Sequence, residues 1–292
     1  MKLDMVERMP SDVLGVLADL LQKLSGNDGA LWLERLKLFL KGENPFSTTA
    51  QTVNAWADEL ISGTRRKLKK FFRRSVQVES VPASWTPAFL ANAAAYNMRP
   101  VFLPDADISA SWVRKGWVKL ESWFYERIAS GAIKGDHPTR LKRGWYLADF
   151  TPGTDYTNGT QVLPSDPWSP LITELRGAKL IKGYDATPSG SRFAITWDEW
   201  NDCVLAQMAA KLSVHRVQIS LERAVEFNAI GNIYDPTRGA FNMWVWLQDK
   251  FEDDYRLVGG NRGVGGLARV NYSSHAHRYD SIAARPLVRF VQ

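Results

Sequence analysis

The residues of this chain that could do chemistry gather in two places, a basic run in the first quarter and a polar, aromatic run near the C-terminus. His275 and His277 stand two apart, so on a strand both imidazoles would face one way and could share a metal ion. Asp280 is the one acid close by, and two imidazoles with a single carboxylate make a thin ligand set. Surface histidines offering hydrogen bonds are the better reading, and no metal is expected. Asn261-Arg262-Gly263-Val264-Gly265-Gly266 is glycine-rich like a phosphate loop, but it lacks the G-x-G-x-x-G register and no helical pattern follows. It reads as turn chemistry. Arg65, Arg66, Lys67, Lys69 and Lys70, with Arg73 and Arg74 just beyond, could neutralise phosphates, and Phe71 and Phe72 inside the run could stack on bases. No helix-turn-helix, zinc or RNA-binding signature accompanies the run, so a solvated basic helix face or a linker is preferred over nucleic acid. Docking on an acidic partner surface is a further possibility.

The C-terminal run has an odd composition. Between Asp254 and Val291 there is no Lys, Glu, Gln, Met or Trp, although the chain holds 12 Trp and 6 Met, and the basic residues there are all arginine. A surface rich in Tyr, Ser, Asn and His suits adaptable binding, because Tyr gives contact area at low entropy cost and Ser and Asn give hydrogen bonds. No catalytic residue and no cofactor is expected.

With 292 residues and 45% hydrophobic composition the chain can bury a sizeable core and hold more than one domain. The 12 Trp mark it as aromatic-rich, and the +6 net charge is concentrated around residues 65–74. The single cysteine, Cys203, excludes an internal disulfide and a Cys-cluster metal site, and its apolar helix face suggests a buried structural thiol. The charged N-terminus reads as lacking a signal peptide, and no apolar run approaches the roughly 20 residues of a membrane span. The expectation is a cytoplasmic or virion-associated chain.

The elements that must position these residues fall into three stretches. Residues 1–75 read as a helical N-terminal segment. Ser11 caps Asp12–Leu24, Asn27-Asp28 turn the chain, Ala30–Leu40 is a second helix stopped by Gly42 and Pro45, and Thr48 or Thr49 starts a third. Residues 76–141 read as a transition: Val76, Val78 and Val81 alternate as in a short strand. Pro82, Pro87, Pro100 and Pro104 then punctuate loops, and Trp112, Trp117, Leu120, Trp123, Phe124 and Ile128 make one aromatic helix face. In residues 142–292 strands are expected at Gly144–Phe150, Phe193–Ile195, Asn242–Asp249, Tyr255–Val258 and Leu287–Val291. Helices are expected at Trp197–Leu212, capped by Thr196, and at Ser220–Ala229.

The ordered set Ile219-Ser220-Leu221-Glu222-Arg223-Ala224-Val225-Glu226-Phe227, Trp244-Val245-Trp246, Arg256-Leu257-Val258-Gly259-Gly260-Asn261 and Ile282-Ala283-Ala284-Arg285-Pro286-Leu287-Val288 resembles the C-type lectin fold in its formylglycine-generating-enzyme-like branch. Members of that branch carry an LPTEAEWE helix, a W-E-W strand, an R-x-x-R-G-G-S-W turn and a terminal G-F-R strand. The resemblance is more specifically to the variable proteins of diversity-generating retroelements, viral or microbial proteins in which a reverse transcriptase copies a template with errors at adenines. It covers roughly Lys142–Gln292 and implies an α+β chain, with a C-type lectin fold in the C-terminal half preceded by a mainly α-helical N-terminal segment.

The resemblance implies a hypervariable region at about 253–292 that binds diverse ligands, protein or cell-surface, rather than an active site. Randomising the first two bases of an Asn codon never yields Lys, Glu, Gln, Met or Trp, which would account for the composition. The varied, ligand-binding positions would be Asn261, Arg262, Val264, Asn271, Ser273, Ser274, His275, Ala276, His277, Tyr279 and Ser281. Gly259, Gly260, Gly265, Gly266, Leu267, Ala268, Ile282, Arg285, Pro286 and Leu287 would be the retained scaffold. Arg262 stands near the branch's Trp, and Ala283-Ala284 replace Gly-Phe, which would make Ala283 a further varied position. Formylglycine generation needs a cysteine pair that this chain lacks. A calcium-dependent sugar site needs an acidic-Pro-Asn cluster; Asn232 and Asp235-Pro236 come nearest and read as a turn. The alternative function is nucleic-acid or partner binding through 65–74, with the lectin-like half as accessory.

Overall fold

In the computed structural model the described residues are 11–26, 29–42, 47–184, 186–214 and 217–290. The expected turn at Asn27-Asp28, the stop at Pro45 and the last strand residue Val291 lie outside them. The chain is mixed α+β, with a curled antiparallel sheet in the C-terminal half, and it divides into two compact units, Met1–Asp58 and Glu59–Gln292. The first unit holds α1 (Ser11–Ser25), α2 (Gly29–Leu40) and the start of α3 (Ser47–Phe72), with α1 and α2 packed on each other. The apolar stripe of α1 leaves Val16 and Leu21 exposed.

The second unit begins inside α3, not at residue 75. The basic run therefore continues this helix instead of following it. Thr64, Leu68 and Phe72 recur every four residues, lie on one helix face and are buried. Residues 76–141 belong to the same unit. The helix α4 (Pro87–Ala95) is capped by Thr86, whose Oγ1 accepts from Phe89 N, and it leads into β1 (Met98–Leu103). β1 pairs with β5 (Gly144–Asp149), which pairs with β11 (Pro286–Phe290), which pairs with β6 (Val217–Leu221), all antiparallel. β1 is the edge strand of this sheet, and that is why it tolerates Pro100, which the sequence reading placed in a loop.

The aromatic segment forms no single helix. Trp112 and Trp117 sit in turns, with Gly116 at φ +82°, and only α5 (Ser122–Ala129) is helical. Phe193-Ala194-Ile195 makes no ladder, and Ala194 has φ +56°. Residues 76–81, expected as a short strand, belong to no strand or helix. By contrast Thr196 caps its helix as expected: its Oγ1 accepts from Glu199 N and Glu199 accepts from Thr196 N. That helix runs as α7 (Trp197–Glu199), a π turn (Trp200–Val204) and α8 (Leu205–Leu212). A further helix, α6 (Ser169–Gly177), was not anticipated.

The expected helix at Ser220–Ala229 is instead the end of β6 followed by α9 (Ala224–Ile233), whose residues from Ala224 to Gly231 are all buried. Ala224 and Phe227 of α9 enter one core cluster with Val245, Leu247, Leu257 and Val270. Val225, Ala229 and Ile230 enter a second with Val101, Tyr146 and Leu287. α9 thus joins the two sheets.

The second sheet carries the C-terminal segment. Its order is β10 (Ile282–Ala284), β7 (Trp244–Phe251), β8 (Tyr255–Gly260), β9 (Val270–Ser274), with β3 (Ile133–Lys134) beside the far end of β7. β2 (Ala106–Asp107) and β4 (Arg140–Leu141) form a separate pair. β10 runs parallel to β7, and the other pairs in this sheet are antiparallel. Trp244 is flanked by Gly260 on one side and by Ile282 on the other.

Candidate functional site

Alternation along the strands of the second sheet separates two faces. Val245, Leu257, Val270 and Ala283 point into the core. The register places Trp244, Trp246, Val258, Arg256, Asn271 and Ser273 on the opposite face. That face is partly roofed. Trp246 donates its Nε1–H to Ile195 O and Trp197 donates its own to Leu247 O. The Arg256 guanidinium lies 4.4 Å over the Trp197 ring. What remains open is the edge strand β9 and the turns on either side of it.

Those turns hold the positions expected to vary. Asn261, Arg262 and Val264 lie where the chain leaves β8; Asn271, Ser273 and Ser274 lie on β9; His275, Ala276, His277, Tyr279 and Ser281 lie on the connection to β10. None of these is buried, and Arg262, Val264, Ala276 and His277 are exposed. Because β10 is parallel to β7, the connection 275–281 starts at the Tyr255 end of the sheet and crosses back to the Trp244 end. On the way the Tyr279 ring comes within 6.0 Å of Trp246.

Both ends of the segment meet at one loop: Arg262 reaches Asp155 at 3.4 Å, and Asp280 accepts from Tyr156 Oη at 3.0 Å. Asn261, Arg262 and Ser281 are thereby brought together around Trp244, while Ser274 and His275 stand at the other end of the sheet.

His275 and His277 are on a turn and do not present paired imidazoles. His275 Nδ1 sits 2.7 Å from Asp198 in the first turn of α7, and His277 faces the Tyr279 hydroxyl at 3.5 Å. Among the described residues no group of three or more His, Cys, Asp or Glu could hold a metal ion. Asn261-Arg262-Gly263-Val264-Gly265-Gly266 forms two short 3-10 turns, with the Asn261 side chain accepting from Gly263 N. Cys203, expected to be buried, is half-buried in the π turn; burial, and then the charge of Glu199, push its thiol pKa up.

Two neighbours in the same run behave differently from the open positions. Arg278 donates to both carboxylate oxygens of Glu199, at 2.6 and 2.7 Å, and to Ala194 O. Sequence reasoning had no means to tell this inward arginine from the exposed ones. Ala283, proposed as varied, is 0% exposed and opposes Val245 in the core. A side chain larger than alanine there would displace core atoms.

The scaffold residues hold the ends of the segment. Gly259, Gly260, Gly266, Leu267, Ile282, Arg285, Pro286 and Leu287 are buried; Gly265 is exposed, and Ala268 is half-buried. Gly266 has φ +59°, and a Cβ on it would sit 2.7 Å from Gly239 O. Gly239 has φ +74°, and a Cβ there would sit 2.3 Å from Leu267 N. The two backbones touch, which only glycines allow.

Beneath the end of β10 lies a buried set of ions of which sequence reasoning named only Arg285. Arg192 donates to Asp149, to both oxygens of Asp166 at 2.6 and 2.7 Å, to Thr151 Oγ1 at 2.9 Å and to Ala284 O at 3.3 Å. All five guanidinium donors are used. Arg238 pairs with Glu222 and Asp235, and Arg285 donates to Thr151 O and Asp149 O. Burial works against the Asp149 charge, but Arg192 and Arg285 hold its carboxyl below the ordinary range. The residues of this network lie far apart in the chain, so no spacing in the sequence announces them.

Among Arg65, Arg66, Lys67, Lys69 and Lys70, every side chain is exposed. The aromatics within the run are not available to bases: Phe72 is 1% exposed, and Phe71 packs on Trp117 with ring centroids 4.2 Å apart. No helix among the described residues is long and apolar enough to cross a membrane. Compared with known proteins, the chain matches no protein-family model, no curated protein and no solved structure.

Proposed function

We propose that the segment 142–292 is a C-type lectin-like scaffold whose C-terminal stretch displays a variable ligand-binding surface, as in the variable proteins of diversity-generating retroelements. The observation that carries this reading is the division within one short segment. Every position assigned to ligand contact, from Asn261 to Ser281, lies outside the buried core, while most of the scaffold residues between and beyond them are inside it. Exposed substitutions usually change stability by no more than about ±0.5 kcal/mol, so such a surface can be rewritten without unfolding the protein. The pairing of β5 with β11, near the two ends of the segment, closes the scaffold behind the surface and agrees with a lectin-like unit.

The groups offered are amides, hydroxyls, imidazoles and a guanidinium on turns and an edge strand. They suit contact with a broad protein or cell-surface ligand, and binding rather than turnover is the activity they support.

Sequencing the locus across a population of the source tests the proposal. Substitutions should fall at codons for Asn261, Arg262, Val264, Asn271, Ser273, Ser274, His275, Ala276, His277, Tyr279 and Ser281, matching adenines in a nearby repeat. Codons for Ala283, Arg278 and the buried glycines should stay constant. A uniform tail with changes scattered elsewhere would overturn the reading.

A further inference from the structure

The second unit carries a cationic cleft that the C-terminal surface does not use. It has a volume of about 470 Å³ and is lined by Lys67, Lys70, Phe71 and Arg73 at the end of α3, by Lys115-Gly116 from the turn after Trp112, and by Asn232-Ile233 at the end of α9. Lys115 is distant in sequence from the other three cations, so the fold assembles the cleft. None of Lys67, Lys70, Arg73 and Lys115 has a carboxylate within 4.0 Å among the described residues. Lys67 is steadied instead by the Tyr234 ring at 5.4 Å.

A second cleft nearby gives the contrast. It is lined by Arg74, Arg143 and Asp105, but Arg143 pairs with Glu79 and Asp105 with Arg140, so its charge is largely met from within. The larger cleft holds four cations whose compensation must come from outside. Like charges lining one cleft raise one another's energy, and an anion that bridges them relieves it.

We propose that this cleft binds consecutive phosphates of a nucleic-acid backbone without reading the bases. Two features favour that ligand over an acidic protein. A protein partner would be anchored on an apolar centre, and the one ring here, Phe71, is already packed on Trp117. Lys67 and Lys70 stand one turn apart along α3 with Arg73 following, a row that tracks a line of charges. Phe72 is buried, and the half-buried Phe71 at the cleft wall is engaged on Trp117, so contact is confined to phosphate.

The test uses the full chain and a fluorescein-labelled mixed-sequence duplex DNA followed by anisotropy. Four cations predict a slope of log K against log salt of about −3.6. The variant Lys67→Glu, Lys70→Glu, Lys115→Glu should bind at least tenfold more weakly. A variant with the same charge change on other exposed lysines, Lys179→Glu, Lys211→Glu, Lys250→Glu, should lose less than threefold. Two scrambled duplexes should bind alike, and poly-glutamate of equal charge should compete at least tenfold less well than unlabelled duplex. Circular dichroism confirms that both variants fold.

Equal losses in the two variants would reduce the effect to net charge and overturn the site. Equal competition by poly-glutamate would overturn the choice of phosphate, and a tenfold difference between the duplexes would overturn backbone-only contact. No binding by the parent protein would overturn the proposal.

Discussion

Replacing Arg192 with methionine should remove more stability than any change on the displayed surface. Arg192 and Asp149 are both 0% exposed, and Asp166 is nearly so. Methionine fills much of the volume but leaves two carboxylates, Thr151 Oγ1 and Ala284 O without their donor. Removing one partner of a buried ion pair typically costs 3–5 kcal/mol, because the remaining charge is left uncompensated. With a urea slope of about 3 kcal/mol/M for a unit of this size, the midpoint should fall by about 1–2 M. Arg192→Lys keeps the charge but supplies three donors from one point where the fork supplies five, so its loss should be intermediate, about 1–3 kcal/mol.

The assay is urea unfolding followed by tryptophan fluorescence, repeated at pH 7 and pH 4. In the parent, Asp149 has a lowered pKa, so its contribution is present above the ordinary value of 3.8 and is lost as pH falls below it. In the methionine variant burial acts on Asp149 with one cation fewer, so it takes up a proton more readily. The gap between parent and variant should therefore narrow at pH 4. A loss under 1 kcal/mol at pH 7, or a gap that does not change with pH, would refute the assignment of this network as the anchor of β10.

Three further outcomes are expected. Gly239→Ala places a Cβ against the backbone of Leu267 at a positive φ, so it should cost more than about 2 kcal/mol by thermal or urea unfolding. Asn271→Ala, Ser273→Ala and His277→Ala combined should cost under about 1.5 kcal/mol, whereas Arg278→Ala alone, which unpairs Glu199, should cost about 1.5–3 kcal/mol. Burial pushes the Asp249 pKa up from 3.8 to about 6, while its carboxylate accepts from Ala224 N. A raised folded-state pKa means stability present below about 4 and lost as pH climbs through 6, by about 3 kcal/mol. Asp249→Asn should remove that slope from the urea midpoints measured between pH 4 and pH 7.

Much of the framework was legible wherever local chemistry decides. Thr196 announced the cap of the helix to Leu212, and the alternation in Asn242–Asp249 announced β7 (Trp244–Phe251). The failures share one cause: a tertiary partner overrode the local signal. Pro100 argued against a strand, yet β1 needs bonds on one side only. Trp112 to Ile128 had helical spacing, yet Gly116 turns the chain and sends Trp112 and Trp117 onto Phe71. Ser220 and Leu221 looked helical, yet β11 claims them for β6. At the surface, composition marked the segment but could not sort its members. Arg262 and Arg278 are the same residue type, and only Glu199 turns one of them inward.

The flanking of Trp244 by Gly260 and Ile282 bears on how such a surface can change in length as well as in sequence. Gly260 and Ile282, which bracket the segment 261–281 and its strand β9, sit on either side of that single residue. The segment's two feet are therefore fixed a strand's width from Trp244, whatever lies between them. Residues inserted at the exposed Ala276-His277 tip would not shift the register of any strand. Doubling the loop would cost only about 0.6 kcal/mol in closure entropy. The protein can lengthen its reach almost as cheaply as it can alter its letters.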